Sequence, residues 1–135
     1  MRATLILADY AAVMDGKLTV VGGGWRNCSP NTTPSAIGVV IHAPWSYESR
    51  TIEVLLELMD ADGHPFIVGD IPAQVRATID VIPEAGEVKG ADLNIPFACQ
   101  FGPLPLNPDT QYEWRLSLNG VVGDDWRLTF NTRSA

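Results

Sequence analysis

Apolar and polar side chains alternate with period two over most of the 135-residue chain. In Thr51–Asp60, the residues Ile52, Val54, Leu56 and Leu58 share one face, while Thr51, Glu53 and Glu57 share the other. The same alternation runs through Gln74–Val81 (Val75, Ala77, Ile79, Val81), Gln111–Leu118 (Tyr112, Trp114, Leu116, Leu118) and Asp125–Asn131 (Trp126, Leu128, Phe130). Such segments predict strands with one face on a core and one in water, as antiparallel sheets produce. Their β-branched and aromatic content suits a pleated, half-buried surface. In "ADLNIPFACQF", Cys99 shares its parity with Leu93, Ile95 and Phe97, which turns its thiol toward the core as a small hydrophobe.

Two segments lack a polar face. Leu5 and Leu7 oppose Ile6, Ala8 and Tyr10; in "AIGVVIHA", Ile37, Val39 and Ile41 oppose Val40 and His42. Strands of this kind are covered on both sides. The cover is either a loop of the same chain or a second subunit, and this is the main sequence argument for self-association.

Turn signals separate the runs. Asp15-Gly16 predicts a hairpin between Leu5–Val13 and Leu18–Val21. "DADGHP" (Asp60–Pro65) turns the chain into "FIVG", and Leu118–Asp125 turns through Asn119-Gly120 or Gly123. Ile82–Asp92 is a longer polar loop; Ser29–Ser35 is another, kept out of a sheet interior by its prolines. "DYAAVMDG" is too short a stretch for a helix to outweigh the strand reading. Roughly eight or nine short strands with turns every ~8–12 residues predict one all-β domain over residues 1–135. Its expected architecture is an antiparallel two-sheet β-sandwich, immunoglobulin-like or jelly-roll-like.

Composition narrows the function classes. A chain of this length buries a core without metal or disulfide help. Nine basic against sixteen acidic side chains give a net charge of −7 and no Lys/Arg cluster, so neither nucleic acid nor anionic lipid is an expected partner. The apolar run after Arg2 breaks at Asp9, short of the ~7–15 residues of a secretory h-region. No stretch approaches the ~20 apolar residues of a membrane span. The expectation is a cytoplasmic protein, with Cys28 and Cys99 as reduced thiols. Zinc would need more ligands at tighter spacing than two cysteines with His42 and His64 supply.

Candidate chemistry is sparse. Asp9 has the parity of Leu5 and Leu7 and would point inward on a regular strand, where a carboxylate needs a partner. No second acid or histidine completes a site nearby, so Asp9 and Tyr10 are expected to be structural, holding a strand end or released by a bulge. "VVGGGW" matches no phosphate-binding fingerprint, and its glycines favour a bend. Asp60, Asp62, Asp70, Asp124 and Asp125 could converge on calcium, although acidic turns are ordinary hairpin chemistry. Neither histidine belongs to a nucleophile or metalloprotease motif. The expectation is a protein that is not an enzyme, with no cofactor and no metal. Trp45 and Tyr47 in "HAPWSYESR", with Trp25 and His42, are the candidate binding anchors, and the competing reading is that the tryptophans cap the core.

Two resemblances add to this. Leu106, Pro108, Thr110 and Tyr112 follow the L-x-P-x-T-x-Y pattern of fibronectin-III and immunoglobulin-like modules. That resemblance implies a Tyr112 hydroxyl bonded to backbone a few residues upstream. "LADYA" followed by "DGKLTVVGGGW" resembles a family of small stand-alone bacterial β-sandwich proteins known only as a domain of unknown function. It implies the fold and transfers no catalytic residue. The expected function is a binding or assembly module that recognises a protein partner or self-associates through loops at one end or a sheet face. A small-ligand module, for example for carbohydrate, is the alternative.

Overall fold

The computed structural model describes residues 1–30 and 34–134. Strands β1 (Arg2–Met14) and β2 (Lys17–Gly23) are joined by Asp15-Gly16, whose φ values of 52° and 70° are the two positive angles a type I′ turn requires. There follow β3 (Asn27–Cys28), β4 (Ser35–Ala43), a 3-10 turn (Trp45–Tyr47), β5 (Thr51–Met59), β6 (Ile67–Val68), β7 (Ile71–Pro72), β8 (Gln74–Asp80), β9 (Leu93–Phe101), β10 (Gln111–Leu118) and β11 (Val121–Thr132). The strand count exceeds the expected one because β3, β6 and β7 have two residues each, too few for an alternation to register. Residues 31–33 of the expected Ser29–Ser35 loop lie outside the described residues.

The strands form two main sheets, β2-β1-β4-β9 and β3-β11-β10-β5-β8, with β6-β7 as a small separate ribbon. Their inner faces meet in one core. Ile37, Val39 and Ile41 of β4 lie in the same buried cluster as Ile52, Leu56 and Leu58 of β5 and Trp114 and Leu116 of β10. Each such side chain stabilises the sandwich by roughly 1.5–3 kcal/mol through burial. One pairing departs from the antiparallel expectation: β3 runs parallel to β11, Asn27 beside Asn131 and Cys28 beside Thr132.

The apolar outer face of β4 is covered by the chain's own first hairpin. β1 pairs with β4 from Arg2 to Ala8 and with β2 from Ala8 to Met14. Between these halves the sheet bends, and the hairpin folds across β4 and β9. Leu18 of β2 lies over Gly38, its methyls 3.0 and 3.2 Å from where a β-carbon would stand. Gln100 of β9 donates from Nε2 to the Ala11 carbonyl (3.1 Å), and Ala8, Ala11 and Ala36 are buried beneath. For β4, then, the same chain supplies a cover, a hairpin and not a loop.

The bend explains Asp9. Its expected inward direction is corrected, because the strand is not regular there: Asp9 is exposed, and its carboxylate lies against Gly22, which has a φ of 62°. Tyr10 is also exposed. At the other end of the chain, Asn119-Gly120 makes the last hairpin turn with φ values of 51° and 78°. Gly123 sits instead in a bulge, where the β10–β11 register shifts between Arg115 and Ser117 and the Trp126 indole covers its α-carbon. Tyr112 is buried between Phe66 and Phe130, and its hydroxyl accepts the Asn107 N–H at 2.9 Å.

Candidate functional site

The outward fold of the hairpin creates a groove of about 450 Å³. Val13 and Gly16 at the hairpin tip form one wall, and residues 80–84 with Glu87 form the other. The first residues of β9, Leu93 to Pro96, lie along its base. Its size falls within the ~300–1,000 Å³ typical of ligand-binding clefts. Val81 and Leu93 are buried, whereas Ile82 is 80% exposed at the rim. Val13 on the opposite wall is exposed as well, so the groove offers apolar contact area on both sides.

Carboxylates share the groove with these apolar side chains. Asp80, Glu84 and Glu87 line the groove, and Asp15 adjoins Gly16. Glu87 Oε2 accepts the Glu84 N–H at 3.0 Å, and the Glu87 N–H donates to the Glu84 carbonyl at 3.1 Å, so the turn is locked locally. The Glu84 carboxylate lies against the Gly16 α-carbon, so a side chain there would displace it and would also be strained at a φ of 70°. Gly16 therefore serves both the type I′ turn and the seating of the loop.

The structure gathers three of the four expected anchors at this end of the sandwich. The Trp45–Arg50 segment is tied to the groove wall by backbone bonds, Ser49 N–H to the Val81 carbonyl and Val81 N–H to the Arg50 carbonyl, both 2.9 Å. Trp45 and Tyr47 are half-buried against the core, and the Arg50 guanidinium stands 5.9 Å from the Tyr47 ring centre. His42 lies on the outer face of β4. Its Nδ1 donates to Asn94 Oδ1 at 2.8 Å and its Nε2 meets Thr4 Oγ1 at 3.1 Å, which links β4 to the groove's base and to β1. Neither aromatic lines the groove itself; they buttress it.

Trp25 is at the opposite end, which corrects its grouping with Trp45 and Tyr47. It packs edge-on against Phe130 (5.9 Å between centroids) around a space of about 10 Å³ shared with Cys28, Ser35 and Phe101. That space is the size of a single water, too small for a ligand. The glycines before Trp25 make the bend, as their sequence implies.

The remaining candidates separate in the same way. Asp60 and Asp62 approach His64 within 4.8 Å, and Asp70, Asp124 and Asp125 are not part of that group. Asp60 Oδ1 accepts the N–H groups of Asp62 and His64, each at 2.9 Å, which is hairpin-turn chemistry. Both cysteines are free thiols. Burial pushes the Cys99 thiol up to about 11; burial also raises Cys28, partly offset by Arg133. Sequence reasoning missed the groove because its acids sit in a loop with no periodic pattern, and its far wall comes from a hairpin 70 residues earlier in the chain. The only local signal was the Asp-Gly dipeptide.

The model of a family of unknown function, DUF6941, matches residues 3–131, and the chain belongs to that family. No curated protein matches the chain. Among the described residues no helix is long and apolar enough to cross a membrane.

Proposed function

We propose that the protein is a non-enzymatic, cytoplasmic binding module on an immunoglobulin-like sandwich, and that it holds a cationic segment of a protein partner in the hairpin groove. The observation that carries this reading is the pairing of the exposed Val13 and Ile82 side chains, which line the groove, with the carboxylates of Asp80, Glu84 and Glu87. An extended segment with one apolar and one Lys or Arg side chain matches both features. The net charge of −7 favours the approach of such a segment over an acidic one.

The strand order supports the finer fold reading. The sheet β1-β4-β9 faces β11-β10-β5, with β8 beside β5, in the positions of A-B-E, G-F-C and C′ in immunoglobulin-type sandwiches. The Tyr112–Asn107 bond supports it as well. Free Cys28 and Cys99 agree with a reducing compartment.

The test places a photo-crosslinking residue at position 82 in the native host, with position 62 as control. A discrete protein adduct is expected from position 82, absent from position 62, and lost when Glu84→Lys and Glu87→Lys are introduced together. An adduct indifferent to that charge reversal, or equally strong from position 62, overturns the reading.

A further inference from the structure

The two main sheets end in four edge strands, β2, β9, β3 and β8. An unpaired edge is a template for another chain unless something blocks it. β9 carries Pro96 at its centre, which removes a donor from its free side. β8 carries Arg76 and Asp80 as exposed charges, and β3 is only two residues long. β2, "KLTVVGG", has no proline and no acid, and a single charge, Lys17, at its start. Its Val21 faces Tyr10 of β1 across the ladder, and the two are 57% and 41% exposed.

The turn fixes which groups β2 leaves free. A two-residue type I′ turn makes Met14 and Lys17 a hydrogen-bonded pair, so Lys17, Thr19 and Val21 bond to β1. Leu18, Val20 and Gly22 then direct their backbone N–H groups to the open edge. An antiparallel copy centred on Val20 satisfies this set: Val20 pairs with the second copy's Val20, and each Gly22 N–H meets the opposite Leu18 carbonyl. The same register puts Lys17 opposite the second copy's Gly23, one residue from Gly22, where the Asp9 carboxylate lies. The edge thus carries a cation of its own, Lys17, at one end and an anion lent by β1, Asp9, at the other, which is self-complementary about a two-fold axis.

We infer that β2 pairs antiparallel with β2 of a second copy of this chain, forming a two-fold dimer through a continuous sheet with Lys17–Asp9 ion pairs at its two ends. One seven-residue edge is a small interface, so the dimer is a weak one.

Light scattering or sedimentation of the full chain across a concentration series tests this. The mass is expected to rise from 14.6 kDa toward twice that value. Val20→Pro, which removes the central outward N–H, is expected to hold the mass at 14.6 kDa. Should Val20→Pro fail to fold, the charge variants decide. Lys17→Glu and Asp9→Lys each weaken the dimer about tenfold alone, and their combination restores it. A mass that stays at 14.6 kDa throughout overturns the inference, as does a dimer that the charge variants leave unchanged.

Discussion

At the residue scale, three positions carry consequences that can be measured. Gly22 combines a φ of 62° with the Asp9 carboxylate against its α-carbon, so Gly22→Ala meets both a backbone and a steric penalty. Its expected cost is about 1–3 kcal/mol in chemical denaturation, and adding Asp9→Ala recovers only the steric part. Cys99 is the second. Its folded-state value of about 11 lies above the 9.0 of the unfolded chain, so the thiol is neutral in both states below pH 9 and contributes no slope there. Between pH 9 and 11 the unfolded chain alone loses the proton, and stability falls by about 2–3 kcal/mol. Urea melts at pH 8 and pH 11 should show that difference in the wild type and less of it in Cys99→Ala. Gly123, under the Trp126 indole, is the third: Gly123→Ala displaces a buried ring, with an expected loss of about 1–3 kcal/mol and a red-shifted tryptophan emission. Asp9 shows why such residues escape sequence reading. Parity assigned it inward because parity assumes a straight strand, and the bend that turns it outward depends on Gly22, which is remote in sequence from Asp9.

At the element scale, strands were legible whether or not their two faces meet different environments, and what covers a strand with like faces was not. Ile52, Val54, Leu56 and Leu58 announced β5 through four alternations, and all four are buried. β4 announced only that both its faces need cover; what covers it follows from the seating of Leu18 on Gly38, a contact without a one-dimensional signature. Gly38→Val should therefore lift the hairpin without disturbing the core. Hydrogen exchange is expected to show the β1–β2 amides losing protection while β5 and β10 keep theirs, and equal loss in all four would place the damage elsewhere. The chain turn before β10 is a separate element with its own lock. Thr132 Oγ1 accepts the Thr110 N–H at 3.0 Å beside the Tyr112–Asn107 bond. Tyr112→Phe removes the second bond alone and should cost about 0.5–1.5 kcal/mol in a thermal melt, with the sheet order unchanged.

At the scale of the whole molecule, charge and edges set behaviour. The outer face of the second sheet mixes signs, with Glu113 bound to Arg115 at 3.0 Å and Arg127 across from Arg115. The groove end concentrates acids, and the β2 edge is close to neutral. Sequence reading reached the sandwich because alternation and turns are local properties. It placed Trp45, Tyr47 and His42 among the candidates but could not separate Trp25 from them, since which end of a sandwich a loop occupies depends on how many times the chain has crossed. The groove was beyond reach for the same reason.

The cover over β4 also bears on how the molecule is made. The hairpin precedes β9 in the chain, yet the surface that holds it includes β9, at residues 93–101, which emerges later. An isolated two-stranded hairpin is marginal in water. The hairpin is thus expected to wait, unanchored, until β9 has emerged, and its docking should be among the slow, long-range steps that dominate folding in chains of this topology.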